Sequence, residues 1–210
     1  MVRARAGGSA SAEPCVMGID LGAGSLKTML VALDGRVLGS ASADVTTRSP
    51  HQGWSEQDPA DWWRAICTTV PQALVRAGCS ADAVRAVSFS AGAHTPVLED
   101  EAGRVLRPAI LWNDQRSGAE AAELQSRHGD RFMRLALNKP SATWTAPQLL
   151  WLQRHEGDIA RRVRRVYVAK DWLRSRLTGT WETDRTDAVG TLLFDASADR
   201  WSAELCDCIG

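Results

Sequence analysis

Residues 18–27 read Gly18-Ile19-Asp20-Leu21-Gly22-Ala23-Gly24-Ser25-Leu26-Lys27, and this stretch decides the fold. An apolar run, CVMGID at 15–20, ends in an acidic residue. A glycine-containing loop follows at 22–25, and a second apolar run, KTMLVAL, resumes at 27–33. Asp34-Gly35, a strong hairpin signal, separates it from a third run, RVLGSASADV at 36–45. The opening is therefore a three-stranded meander. A glycine loop that leads into a strand is not the strand-to-helix turn of a doubly wound dinucleotide fold, and no G-x-x-x-x-G-K-[ST] motif occurs. Such a loop can do two jobs. At Gly22, Ala23 and Gly24 it offers backbone N–H groups to a phosphate oxygen without side-chain obstruction, with a hydroxyl from Ser25 and a positive charge from Lys27. The Asp20 carboxylate can hold a hydrated Mg²⁺, an ion that takes one or two carboxylates and keeps its waters. On the loop alone, a tight turn that binds nothing is equally compatible, since glycine turns are common.

Working outward, SPHQGWSEQDP at 49–59 is loop-like, and Asp58-Pro59 is an N-cap followed by a first-turn proline. A helix follows, with Trp62, Ile66, Val70 and Ala73 or Leu74 at helical spacing; Pro71 predicts a kink or an early end. VRAVSFS at 84–90 alternates as a strand, residues 96–99 and 104–106 flank a second hairpin signal, and AILW at 109–112 reads as a buried strand. Helices are predicted over 117–128, 145–155, 158–163 and 170–178, with a strand at 166–168 and a last helix near Trp201. This order predicts an α/β fold, a mixed sheet with inserted helices.

Composition bounds the function classes. With 210 residues, 44% hydrophobic and 24% charged, the chain has an ordinary globular balance, and its length suits one domain or one lobe of a two-lobed protein. Lys plus Arg and Asp plus Glu are 25 each, so charge makes no case for nucleic acid or an anionic membrane. Arg161, Arg162, Arg164 and Arg165 form one basic cluster, read as a solvated helix end. Residues 1–14 are small, polar and basic without the apolar core of a secretory signal, and read as a disordered leader. No stretch approaches the roughly 20 apolar residues of a membrane span, so a soluble, cytoplasmic protein is expected. Five cysteines at irregular spacing, with Cys206-x-Cys208 lacking a second pair, read as free thiols rather than a zinc site. Nine tryptophans serve either as core or as apolar floors for small ligands. Trp62, Trp63, Trp151 and Trp172 lie on helical apolar faces and read as core.

The 18–27 loop resembles the first phosphate motif of the actin-like ATPase superfamily, which includes sugar kinases, heat-shock chaperones and actin. Three further segments narrow the resemblance: Trp54-Ser55-Glu56-Gln57-Asp58-Pro59 with Trp62-Trp63, PAILWNDQR at 108–116, and TAPQLLWLQRH at 145–155. In this order, the set resembles the FGGY carbohydrate kinases, the xylulokinase-like members most of all. DRTDAVGTLLFD at 184–195 looks like that family's segment leading toward the interlobe region. The resemblance runs from about Met17 to Gly210. It implies a ribonuclease-H-like (actin-like ATPase) domain over 15–210 and transfer of the ATP γ-phosphate, with Mg²⁺, to a sugar hydroxyl, that of a ketopentose such as xylulose. It implies that the sugar binds in this lobe and the nucleotide mainly on a C-terminal lobe absent here. No G-G-G-D-type motif lies between Asp184 and Gly210, so no catalytic residue is assigned in this chain, and the base is expected beyond Gly210. The chain is then the sugar-binding lobe, inactive alone. Its partners are a small-molecule sugar and the missing lobe, with no nucleic acid, no membrane, and homodimerisation left open.

The resemblance also assigns individual residues. Asp20 orients Mg²⁺ and the transferring phosphate, the alternative being a turn aspartate. Ala93 and His94 match a sugar-contacting position, where a histidine can hydrogen-bond a hydroxyl; a packed loop histidine is the alternative. Gly92 and Ala93 stand where the family often has Gln and Met, and these smaller residues are expected to enlarge or reshape the pocket. Trp112 and Asp114 match a W-x-D motif, the ring stacking on the sugar and the carboxylate accepting from hydroxyls; the alternatives are a core ring and a helix cap. Trp144 precedes the TAP segment, where the family carries an aromatic near the sugar, and core packing is equally open. Gln148 replaces a family lysine, and Ala23-Gly24 replace Thr-Ser, which shifts hydroxyl contacts to Ser25. Two other functions stand beside the kinase. One is an actin-like ATPase, against which the WSEQDP and WND segments speak; the other is a non-catalytic sugar-binding or regulatory relative.

Overall fold

Alternation of apolar and polar side chains fixes the meander. β1 (Cys15–Leu21) pairs antiparallel with β2 (Ser25–Ala32) from Cys15 opposite Ala32 to Leu21 opposite Leu26, and β2 pairs antiparallel with β3 (Val37–Asp44). Cys15, Met17, Ile19, Leu21, Leu26, Leu30 and Ala41 are buried on one face, while Gly18, Asp20 and Lys27 are exposed on the other. The structure is a computed structural model that describes residues 13–210; of the leader expected at 1–14, residues 1–12 lie outside the described residues.

After a two-residue strand, β4 (Glu56–Gln57), the buried face is covered by α1 (Pro59–Ala77). Asp58 caps it, its side chain accepting the Ala60 N–H, and Gly78 ends it in the left-handed region (φ 63°). Trp62, Ala65, Ile66, Thr69 and Ala73 form its inner stripe, and the buried hydroxyls of Thr69 and Thr28 meet at 2.8 Å. The helix runs through Pro71 rather than ending there. Pro71 and Cys67, four residues earlier, are both exposed, so water can serve the Cys67 carbonyl that proline leaves without a donor. A 3-10 turn at Ala81–Ala83 leads to β5 (Val84–Ala91), which returns parallel to β1 and gives the sheet order β3-β2-β1-β5.

The rest packs against this unit in smaller pieces. β6 (Pro96–Glu99) bridges to Val105, and β7 (Ala109–Ile110) pairs with β4. Only two residues of the expected 109–112 strand pair as strand, because beyond Leu111, which bonds the Ser55 carbonyl, the chain turns. α2 (Gly118–Leu135) extends past the predicted end at 128. Gly129 does not stop it, since Phe132 continues the stripe of Ala121 and Leu124 into a second apolar cluster with Ala146, Leu150, Leu192 and Leu205. α3 (Thr145–His155), α4 (Gly157–Arg162), β8 (Arg165–Val168) and α5 (Ala169–Thr178) follow, with β8 antiparallel to β6. The arginines closing and following α4 are exposed, as a solvated helix end should be. α6 (Arg185–Gly190) leads into a hairpin that the sequence reading does not predict, β9 (Phe194–Asp195) with β10 (Arg200–Trp201), and then the short α7 (Ala203–Cys206). Asp195 makes that turn, its carboxylate accepting the N–H groups of Ser197 and Ala198. The five cysteines are free. Trp62, Trp151 and Trp172 are buried, and Trp63 packs half-buried against the cluster that holds Trp62 and Trp172. Among the described residues no helix is long and apolar enough to cross a membrane.

Helix and sheet approach closely at Gly39, where a Cβ would lie 2.6 Å from the Ala77 nitrogen and 2.9 Å from the Ala73 carbonyl oxygen, both backbone of α1. Gly39→Ala should therefore push α1 off the sheet and lower the unfolding free energy by about 1–3 kcal/mol. Urea denaturation followed by circular dichroism measures this, and an unchanged midpoint would mean that helix and strand separate at no cost.

Candidate functional site

The expected phosphate loop joins β1 to β2. Gly22 N–H donates to the Ser25 carbonyl at 2.9 Å, so this donor serves the turn itself. Among the described residues, no carbonyl receives the N–H groups of Ala23 and Gly24. The loop carbonyls, in contrast, are held from behind. Ala23 O accepts from Thr47 Oγ1 at 2.6 Å and from Gln57 Nε2 at 2.8 Å, and Gly24 O accepts from Val45 N–H at 3.0 Å. Because the peptide plane is rigid and trans, pinning the Ala23 carbonyl inward turns the Gly24 N–H the opposite way, outward. The loop thus presents a fixed donor.

Gln57 is the residue that the sequence reading missed. It is fully buried, and both ends of its amide are used: Oε1 accepts Trp62 Nε1–H at 2.7 Å, and Nε2 donates to Ala23 O and to Thr47 Oγ1, each at 2.8 Å. Its place in WSEQDP marks the segment, but only the fold brings that segment behind the loop, 34 residues earlier in the chain.

Asp20 and Lys27 face each other across the β1–β2 ladder, and Ser90 of β5 lies opposite Asp20 on the other side. All three are exposed, on the sheet face away from α1. Ser25 is exposed at the start of β2. On the α1 side a cavity of about 20 Å³ is lined by Gly22, Ala23, Gln57, Gly92, Leu111 and Trp112 among others. It joins the loop to Trp112 but does not include Asp20. Trp112 is 48% exposed, hence not a core ring. Of the two expected effects of the small residue at 92, enlarging or reshaping the pocket, the structure shows the second. A Cβ on Gly92 would meet Trp112 Cδ1 at 2.6 Å, so the indole occupies the space that a side chain would take. A larger cavity, about 360 Å³, is walled by Tyr167, Trp181 and Trp201, and none of the expected site residues lines it.

His94 and Trp144 come together. Their ring centroids are 4.1 Å apart and tilted by 32°, and both residues are half-buried, with Ala93 exposed beside them. His94 sits at φ 58°, a left-handed conformation costly for a residue with a Cβ. Nδ1–H donates to the Gly190 carbonyl at 2.8 Å, which leaves Nε2 with its lone pair. Burial pushes the ring below the ordinary histidine value of 6.5, against the Gly190 hydrogen bond and the Asp187 charge, so the neutral form prevails at neutral pH.

Asp114 is corrected. It is wholly buried, and its carboxylate accepts from four donors: Oδ1 from the N–H of Arg116 and from Arg116 Nε, Oδ2 from the N–H of Ser55 and from Arg116 Nη2, at 2.6 to 2.9 Å. No surface remains for a sugar hydroxyl, because closing the β4–β7 junction uses the whole group. Gln148, at the family's lysine position, is buried, donating to the Leu111 carbonyl at 3.4 Å.

Residues 15–210 match the family described as the FGGY family of carbohydrate kinases, N-terminal domain. The xylulose kinase of Escherichia coli (strain K12) is 39% identical over 197 residues, covering 91% of this chain and 40% of that protein. Two crystal structures are similar: a xyloylose kinase from Brucella ovis at 39% identity and TM-score 0.86, and a xylulose kinase from Rhodospirillum rubrum at 30% identity and TM-score 0.87. Each match covers 93% of this chain and 40% of the other. The chain thus spans about two fifths of the length of the relatives that it matches.

Two variants separate scaffold from contact surface. Gln57→Leu keeps the volume but leaves the buried Trp62 N–H unpaired and takes one donor from Ala23 O. A loss of about 1–3 kcal/mol in urea denaturation is expected, and none would mean that Thr47 alone sets the loop. Asp114→Ala strips one of two carboxylate partners, and two of three side-chain hydrogen bonds, from the buried Arg116 guanidinium and should cost about 3–5 kcal/mol; wild-type stability in that variant would return Asp114 to the ligand surface.

Proposed function

The chain belongs to the FGGY family of carbohydrate kinases, and from that membership we propose that it is the sugar-binding lobe of a longer, ATP-dependent kinase whose acceptor is a ketopentose such as xylulose. The observation that carries this reading is the loop geometry. A carbonyl pinned by Gln57 and Thr47 turns the Gly24 N–H outward, beside a cavity that ends on the Trp112 indole. Phosphoryl transfer asks a protein mainly to position groups and to neutralise charge, and both needs are served here. The N–H groups of Ala23 and Gly24 receive phosphate oxygens, with Ser25 and Lys27 beside them. Trp112 offers an apolar face to a sugar ring. Trp144 backs His94, whose Nε2 accepts from a sugar hydroxyl.

Asp20 fits a magnesium ion that arrives with the phosphates. It is a single exposed carboxylate, which leaves the remaining coordination positions to water and phosphate oxygen. Among the described residues no group of three or more His, Cys, Asp or Glu side chains offers an all-protein cage. When bound there, the ion would neutralise phosphate charge. Asp20 would orient it, with Lys27 opposite on the ladder. The base that takes the hydroxyl proton lies outside this chain in this reading. A cytoplasmic site of action accords with ATP as phosphate donor and with five free thiols.

The test is ADP release by the longer protein that carries this lobe, with ATP, Mg²⁺ and a panel of ketoses, aldoses and polyols. Release should depend on sugar, with a ketopentose the best acceptor, and Asp20→Ala should lower the rate by about a hundredfold or more. A folded protein that no sugar stimulates would overturn the kinase reading in favour of a binding or regulatory role.

A further inference from the structure

His94 has one ring nitrogen committed and one free. Whatever fixes the Gly190 carbonyl therefore fixes which nitrogen the ring presents to a ligand. Gly190 ends α6, a helix of six residues, too short to be stable by itself. Just past it, Ala146 N–H donates to the Thr191 carbonyl at 3.0 Å. The first turn of α6 is held by Lys170 of α5. Its Nζ lies 3.0 Å from Asp184 Oδ2 and 3.1 Å from Asp187 Oδ2, with Asp171 Oδ1 at 2.6 Å. Asp184 is also the N-cap of α6, its carboxylate accepting the Asp187 N–H at 2.9 Å, so one ammonium grips cap and first turn together.

The charge balance makes this grip specific. Burial disfavours the Lys170 charge, yet its carboxylate partners more than offset that and hold the ammonium above the ordinary lysine range. Burial pushes the Asp187 carboxyl up, and Lys170 draws it back. Without the lysine, Asp171, Asp184 and Asp187 would face one another, with Arg174 reaching only Asp171, at 3.6 Å. The seat of the ring is also tight. A Cβ on Gly190 would lie 2.9 Å from both Cε1 and Nδ1 of His94, so the imidazole rests on bare backbone, and a small shift of α6 breaks its hydrogen bond.

We infer that Lys170 is a positioning residue: by pinning α6 it keeps the Gly190 carbonyl where it holds His94 as the Nδ1–H tautomer, with Nε2 presented as an acceptor. That this acceptor meets a sugar rests on the function proposed above; the effect of Lys170 on the ring does not. The competing account is that Trp144, stacked at 4.1 Å, holds the imidazole unaided.

The ring nitrogens decide between them. In the 210-residue chain labelled with ¹⁵N-histidine, long-range proton–nitrogen spectra above the titration range should show Nε2 as the unprotonated nitrogen of His94. Lys170→Met and Asp187→Asn should each abolish the single tautomer, the two nitrogen shifts moving toward each other, with circular dichroism unchanged. Lys170→Arg, which keeps the charge, should restore most of the wild-type pattern. Gly190→Ala, which unseats the ring directly, shows what full loss looks like. Wild-type ring shifts in folded Lys170→Met and Asp187→Asn would overturn the inference and leave Trp144 as the support. A xylulose titration of the same samples separates the two claims. If xylulose moves the wild-type His94 signals, affinity should fall about three- to tenfold in the two variants. If xylulose leaves those signals unmoved, the sugar contact falls, and the tautomer result alone still decides the role of Lys170.

Discussion

Arg116 is a charge with no exposed surface, held between two carboxylates and two indoles. Its guanidinium forks onto Asp114 at 2.8 and 2.9 Å, reaches Glu56 at 2.7 Å, and lies 3.7 Å over the Trp54 ring and 5.1 Å from that of Trp151. Removing such a group from water costs several kcal/mol, offset only when the geometry is good and every donor is used. The partners come from three separate segments: 54–56, 114 and 151. Arg107, also on Glu56, extends the cluster to Glu156. A neutral pair would tolerate slippage among these segments; a buried ion network does not, because a misplaced partner leaves an unpaired charge. The WSEQDP segment, the WND segment and α3 are thereby fixed to one another.

The consequence passes along the chain to the loop. Glu56 and Gln57 are the two residues of β4, with one side chain in the ion network and the other behind the β1–β2 loop. Fixing the first sets the second, and Gln57 then reaches Ala23 and Trp62 at once. Trp62 carries the relay into the core, where its ring meets Trp172 edge-on at 6.1 Å, and Trp172 in turn donates to Glu99 at 2.8 Å. The loop therefore owes its shape less to its own glycines than to the buried Gln57 amide behind it, which is used at both ends.

Much of this was legible from the residues. The meander, α1 with its cap, the β5 strand and helices α2 to α5 follow from period, turn signals and caps. What the sequence hid was long-range or cooperative. Pro71 reads as a helix breaker, yet exposure of Cys67 and Pro71 lets water stand in for the lost bond. The predicted helix stops at 128, but Phe132 continues a stripe whose partners lie on α3 and α7. Asp114 reads as a ligand because it matches the W-x-D motif of the resemblance; only the fold shows four donors converging on it. Gly92 reads as enlarging or reshaping a pocket, and only the structure shows which, by filling the space with an indole from 20 residues later. Lys170 reads as one more helix lysine, and its three carboxylates become visible only when α5 and α6 are side by side. The loop, His94, Trp112 and Trp144 are named by the resemblance alone; the fold adds that His94 and Trp144 lie ring to ring and that Trp112 lines the cavity beside the loop.

The clamp on the Ala23 carbonyl separates two kinds of inheritance. The backbone path of the loop is encoded at Thr47, Val45 and Gln57, while the side chains at 23, 24 and 25 project from a path already set. Replacements at those three positions can accumulate without altering where the N–H groups point, provided that they remain small. This chain carries Ala23-Gly24 on that path, and the clamp holds its shape without a side-chain hydroxyl at either position. The chemistry of the loop can then be changed residue by residue while the frame that aims it stays in place.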